Sequence, residues 1–118
     1  MTLVLIESPY SNERTSSIAD VRRNVLYARA AMRDCFMRGE YPFASHILYT
    51  QDGVLNDADP HERELGIDAG LAWGNHAART VVYADHGISR GMQLGIDRAQ
   101  AAGRPVEFRY LSEPRSEP

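Results

Sequence analysis

Lysine is absent from this chain, and all thirteen basic residues are arginines spread along its length rather than gathered in a run. With a net charge of −3 there is no basic stripe to follow a phosphate backbone, which argues against polymeric nucleic acid as a partner. Cysteine is nearly absent as well. One thiol, Cys35, can neither close a disulfide framework nor supply a cysteine-rich metal site, and a reducing, cytoplasmic setting is expected. No stretch approaches the roughly 20 apolar residues of a membrane span, and no basic segment followed by an apolar run marks the amino terminus as a secretory leader. The four histidines, His46, His61, His76 and His86, share no metal-ligand spacing, so neither a metal nor any other cofactor is expected. No repeat is visible, and 118 residues suit a single domain over residues 1–111 followed by a flexible polar tail over 112–118.

What is present is an alternation of strand and helix signals. Leu3 to Ile6 is a continuous apolar run ended by Glu7-Ser8-Pro9-Tyr10, the mark of a buried parallel strand. Asn12 to Ser17 is polar and expected to be mobile. Ser17, with Asp20 three residues on, then caps a helix to about Arg38 whose apolar stripe is Val21, Val25, Ala28, Met32 and Phe36, with Arg22, Arg23, Arg29 and Arg33 on a solvated face. Gly39 stops that helix, and Tyr41 to Tyr49 reads as a second strand weakened by Pro42. A long turn-rich segment from Thr50 leads to Asp59-Pro60-His61-Glu62, a helix start with Asp59 as N-cap and Glu62 placed to close a capping box. This helix is predicted to reach His76, with Leu65, Ala69 and Ala72 as its stripe. Gly66, Gly70 and Gly74 recur every four residues along it, a ridge suited either to a dimer contact or to close packing on the sheet.

Thr80 to Ala84 is a β-branched and aromatic run without alternation, predicted to be a central strand, and Ser89 caps a helix whose apolar positions are Met92, Ile96 and Ala99. Pro105 to Leu111 closes the fold as an edge strand, with Val106, Phe108 and Tyr110 alternating against Glu107 and Arg109. Such an order predicts a small doubly wound α/β domain of the Rossmann or flavodoxin kind, a parallel sheet of four to five strands with helices on both faces. In the strand order 2-1-3-4, ligands bind beyond the carboxyl ends of the first and third strands. Two turns converge there, Glu7 to Tyr10 and Asp85 to Gln93.

Several of these residues bear chemistry. Glu7 and Asp85 end neighbouring strands and are candidates for a catalytic acid–base pair; the alternatives are a surface charge for Glu7 and a turn cap for Asp85. Ser8, Pro9 and Tyr10 on one turn and Ser89, Gly91, Met92 and Gln93 on the other are candidate ligand-binding positions, Tyr10 as an aromatic wall and Gly91 as a close approach to unpartnered backbone N–H groups. His46 is a further candidate contact, or a satisfied structural histidine. Arg63 is a candidate bidentate partner for a phosphate, or a helix-surface ion-pair residue.

The chain resembles the nucleoside 2-deoxyribosyltransferase-like superfamily through Ser8-Pro9-Tyr10, the Arg-rich helix, Pro42-Phe43-Ala44-Ser45-His46, Asp59-Pro60 with Glu62-Arg63, and Gly87-Ile88-Ser89-Arg90-Gly91-Met92. The likeness runs from Leu3 to Tyr110 and is closer to small phage and bacterial members. It implies a pocket for a nucleoside or nucleotide, cleavage or transfer at the N-glycosidic bond, and assembly as a homodimer or larger homo-oligomer. The enzymes use a glutamate at the head of the helix after the central strand. Laid on that pattern, this chain has Gln93 at the glutamate's position, or Gly95 in an alternative register. Three functions follow: an enzyme on the glycosidic bond, a nucleotide-binding protein that has lost the nucleophile, and an interaction subunit.

Overall fold

The computed structural model describes residues 2–10 and 17–113. The polar segment ahead of Ser17 and the tail beyond residue 113 lie outside the described residues. Four strands, β1 (Thr2–Glu7), β2 (Glu40–Phe43), β3 (Arg79–Tyr83) and β4 (Val106–Arg109), form one parallel sheet in the order β2-β1-β3-β4. The expected α/β architecture and strand order are both observed.

Side-chain alternation divides the sheet into two faces. On one, Val4, Ile6, Val81 and Tyr83 pack under α1 (Ile18–Met37) through Tyr27, Ala31 and Cys35. Ser17 and Asp20 form the capping box anticipated for this helix. Of its predicted stripe Ala28 is buried and Met32 packs against the core, but Val21 and Val25 are only half-buried and Phe36 is exposed, and the buried positions run through Tyr27, Ala28, Ala31, Asp34 and Cys35. The stripe is rotated from the predicted one as Asp34 finds polar partners beneath the helix, described below, and the Cys35 thiol meets the Tyr83 hydroxyl at 3.4 Å.

On the other face, α4 (Arg90–Ala101) buries Met92, Ile96 and Ala99 as expected, with Met92 and Ile96 against Val82 and Val106. Ser89 caps it, its hydroxyl accepting from the Met92 amide at 3.2 Å. The predicted second strand is cut short. After Phe43 the chain turns into a single helical turn, α2 (Ser45–Leu48), which puts Ser45 and His46 on a helix rather than on a strand. α3 (Pro60–Gly74) is capped by Asp59, but the Glu62 carboxylate turns away from the cap and accepts from the Asn56 amide, bracing the preceding loop.

α3 also resolves its glycine ridge. The stripe of Leu65, Ala69 and Ala72 does not face inward; Leu65 and Ala72 are exposed, while Gly70 and Gly74 are buried. A Cβ at Gly70 would lie 2.6 Å from Ser45 Oγ, and one at Gly74 would lie 3.0 Å from Leu5 Cδ2. The ridge is therefore an internal seam through which α3 approaches α2 and the edge of β1.

β4 is the expected edge strand and Val106 packs inward beneath α4, but the burial of the next pair departs from the predicted pattern. Phe108 is 51% exposed whereas Arg109 is 5% exposed. Arg109 Nη1 and Nη2 each donate at 2.7 Å to Glu40, one to each carboxylate oxygen, and Nε donates to Glu107 at 2.6 Å. Its Nη1 also donates to the Tyr83 hydroxyl at 3.2 Å, and that hydroxyl donates at 2.7 Å to Asp34, which accepts from Arg38 as well. A buried guanidinium with two carboxylates outcompetes an aromatic ring for this site because its donors are nearly all satisfied. Breaking such a pair leaves a buried charge alone. Glu40→Ala and Arg109→Ala are each expected to cost on the order of 3–5 kcal/mol in urea denaturation, and the Glu40→Met/Arg109→Met double variant considerably less than either. Single variants within about 1 kcal/mol of wild type would refute a structural role for the pair.

Candidate functional site

The two faces of the sheet are unequally filled, and the site follows from that. α3 packs chiefly on α2 and reaches β1 at Gly74, against Leu5, while α4 lies against Glu7, so a space is left between α3 and α4 at the carboxyl end of β1. Between β1, α2, α3 and α4 lies a cavity of about 180 Å³. Leu5 and Glu7 rise into it from the strand, Ser8 and Tyr10 from the turn that follows, Ser45 and His46 from α2, and Arg63, Gly66, Ile67, Gly70 and Leu71 from α3. α4 contributes Gly91, Leu94, Gly95 and Arg98, which share a face at spacings of three and four, and Ser89 and Met92 complete its rim.

Glu7 is the group of greatest chemical interest. Loss of solvent around its carboxyl pushes the pKa from the ordinary carboxylate range up to about 7, against the opposing pull of Arg98 and Arg104. Its carboxyl lies against the second turn of α4, directly over Gly95. Arg104 is fixed by donating from Nε to Thr80 Oγ1 at 2.9 Å and from Nη1 to the Gly74 carbonyl at 2.8 Å. Across the cavity, Ser8 Oγ and His46 Nε2 are 2.7 Å apart, and the Tyr10 ring meets the imidazole edge-on at 6.4 Å. Desolvation lowers the His46 pKa to about 4, so the ring is neutral at physiological pH. Tyr10, Tyr49, Leu55 and Met92 give the cavity an apolar and aromatic wall.

The structure brings together Glu7, Ser8, Tyr10, His46, Arg63, Ser89, Gly91 and Met92 around one space. Pro9, Gln93 and Asp85 are not among its lining residues. Gln93 is exposed, and its amide donates to Asp97 at 2.9 Å, one turn further along the same helix. Asp85 does not pair with Glu7. Its carboxylate accepts from the Tyr27 hydroxyl and from the amides of Leu111 and Ser112 at 2.8 and 3.0 Å. Partial desolvation acts to raise its pKa, but these hydrogen bonds prevail and hold it at about 2. Asp85 thus ties the segment after β4 to the end of β3. Arg98 and Arg104 were missed from the sequence. Arg98 had a legible signal, its helical spacing from Gly91 and Gly95, whereas Arg104 follows a helix-ending glycine and enters the site only because Thr80 and Gly74 hold it there.

Trp73 stays out of the cavity, 60% exposed and tilted against Phe43 at 5.9 Å. Among the described residues no cluster of histidine, cysteine and carboxylate side chains is placed to hold a metal, and no helix is long and apolar enough to cross a membrane. An acid raised above its ordinary range in the folded state binds its proton more tightly than the unfolded chain does. Stability therefore falls as pH rises from 4.5 to about 7 and stays lower above that window. Glu7→Gln is expected to remove this slope, measured as melting temperature from about pH 4 to about pH 8; equal slopes in both proteins would contradict the enclosed position of the carboxyl.

Comparison with known proteins gives the fold a relative. A solved structure of a 2-deoxyribosyltransferase from the psychrotolerant bacterium Bacillus psychrosaccharolyticus superposes with a TM-score of 0.62 at 16% sequence identity, covering 98% of this chain and 77% of that one. At that identity the likeness is one of fold. No curated protein matches the sequence significantly. A family model described as Domain of unknown function (DUF7768) matches residues 2–109, and the chain belongs to that family.

Proposed function

We propose that this protein acts on the N-glycosidic bond of a nucleoside or nucleotide, with Glu7 as the working carboxyl. The observation that carries this reading is the desolvated Glu7 side chain, poised near neutrality in a cavity whose walls are aromatic and apolar and whose charged groups include Arg63, Arg98 and Arg104. A group with a pKa of about 7 is held in both protonation states at neutral pH, the condition for giving and taking a proton efficiently. Hydrolysis needs both acts. As the bond from the anomeric carbon to the base nitrogen breaks, the Glu7 carboxylic acid protonates the departing nitrogen; water adds to the anomeric carbon, and its proton returns to the carboxylate. Tyr10 and the apolar wall suit a planar base, while Ser8 and the neutral His46 offer hydrogen bonds to sugar hydroxyls. The fold shared with a 2-deoxyribosyltransferase supports the same substrate class.

A second reading is a nucleotide-binding protein without turnover. It is favoured by the absence of a carboxylate from both candidate positions on α4, Gln93 and Gly95. Chromatography separates the two. The protein is incubated with deoxynucleosides, their 5′-monophosphates and NAD-type dinucleotides, and free base is expected from at least one, with Glu7→Gln slower by a factor of about 10²–10⁴. Thermal stabilisation by a nucleotide without any base release would select the binding reading, and neither effect across the panel would leave the interaction subunit.

A further inference from the structure

Glu7 reaches its position through an unusual vacancy in the helix beside it. A Cβ placed on Gly95 would overlap the Glu7 carboxyl, lying no more than 2.7 Å from its carbon and both its oxygens. Nothing comparable surrounds Gly91 on the same helix, where an added Cβ would meet no atom within 4 Å. Gly95 is also a poor choice for a helix interior on propensity alone, since alanine favours the helix at any site that has room for it. The missing side chain is thus filled by another residue's functional group.

We propose that Gly95 is the positioning residue for Glu7, a bare seat on α4 that holds the carboxyl in the cavity and away from the neighbouring arginines. This rests on the reading of Glu7 as the working carboxyl. The charged and titratable groups around it are Arg98 on α4, Arg104 ahead of β4, Tyr10 on the turn after β1, and, across the cavity, His46 on α2, Tyr49 at its end, and Asp57, Glu62 and Arg63 around α3. Of these, Arg98 and Arg104 are the ones that already draw on the Glu7 charge. A methyl group at residue 95 evicts the carboxyl, and because the displaced atoms are the end of a flexible side chain, the backbone has no need to move. The evicted carboxylate then has two guanidinium groups beside it, and ion pairing keeps it ionised.

The test uses the full chain with ¹³C-labelled glutamate, the Glu7 carboxyl resonance being assigned by its loss in Glu7→Gln. In wild type it is expected to titrate near 7. In Gly95→Ala its midpoint is expected to fall by at least about one pH unit, toward the ordinary carboxylate range, while Gly91→Ala leaves it in place. A wild-type midpoint retained in a folded Gly95→Ala overturns the proposal. Should Gly95→Ala fail to fold, the wild-type chain still decides: a nuclear Overhauser contact between the Glu7 side-chain methylene and the Gly95 α-protons is expected, and its absence overturns the seat. The activity arm transplants the acid. Glu7→Ala/Gly95→Asp supplies a carboxylate from the helix to the same region and is expected to recover at least about tenfold of the base release lost in Glu7→Ala; no recovery counts against the seat. Wild-type protein that releases no base from any substrate overturns the proposed function alone, because the titration and the proton contact are read without turnover.

Discussion

A guanidinium enclosed beneath α1 is the constraint on which the arrangement of this protein depends. Arg109 stands on one edge strand and Glu40 on the other, and their bidentate pairing crosses the face of the sheet that α1 covers. Burial raises the cost of the Glu40 charge, and Arg109 outweighs that cost, holding its pKa below the ordinary range. The Tyr83 hydroxyl, Asp34 and Arg38 extend the network from the third strand to the end of the helix. Such a cluster is sensitive to any missing member, because each leaves a charge or hydroxyl without water to replace its partner. It ties the end of α1 to β3 and to both edge strands.

The opposite face is free to carry chemistry. There α4 packs firmly through Met92 and Ile96, but α3 leans on α2 and touches β1 through Gly74, leaving space above Leu5 and Glu7. Arg104, anchored to Thr80 and the Gly74 carbonyl, braces this opening from the side. The division has an energetic logic. A carboxyl held near a pKa of 7 destabilises the folded protein at neutral pH, whereas the charges on the far face are paired with one another.

How far the site could be read from the chain varies residue by residue. Ser8, Tyr10, Ser89, Gly91 and Met92 were accessible because they follow adjacent parallel strands whose crossovers leave to opposite faces of the sheet, and a crevice opens between such connections. Asp85, by the same argument, could not be placed in or out of the cavity. Its position at a strand end is equally that of a catalytic acid and of a hydrogen-bond acceptor for the neighbouring strand, and the deciding partners, Tyr27, Leu111 and Ser112, are distant in sequence from it. Arg109 and Phe108 show the same limit in β4, where alternation marks which residues share a face but not how deeply each is covered; Arg109 is buried because Glu40, 69 residues away, meets it there.

By itself the sequence determined the alternation of strands and helices, the caps at Ser17, Asp59 and Ser89, the parallel sheet and the end of that sheet at which the cavity lies, because these follow from local propensity and from the handedness of the chain. Tertiary structure alone decided that the glycine ridge of α3 turns inward, that Arg109 is buried and that Glu7 occupies the place of a side chain Gly95 lacks. Each of these depends on two segments competing for one volume, and volume exclusion between distant segments leaves no periodic trace in either.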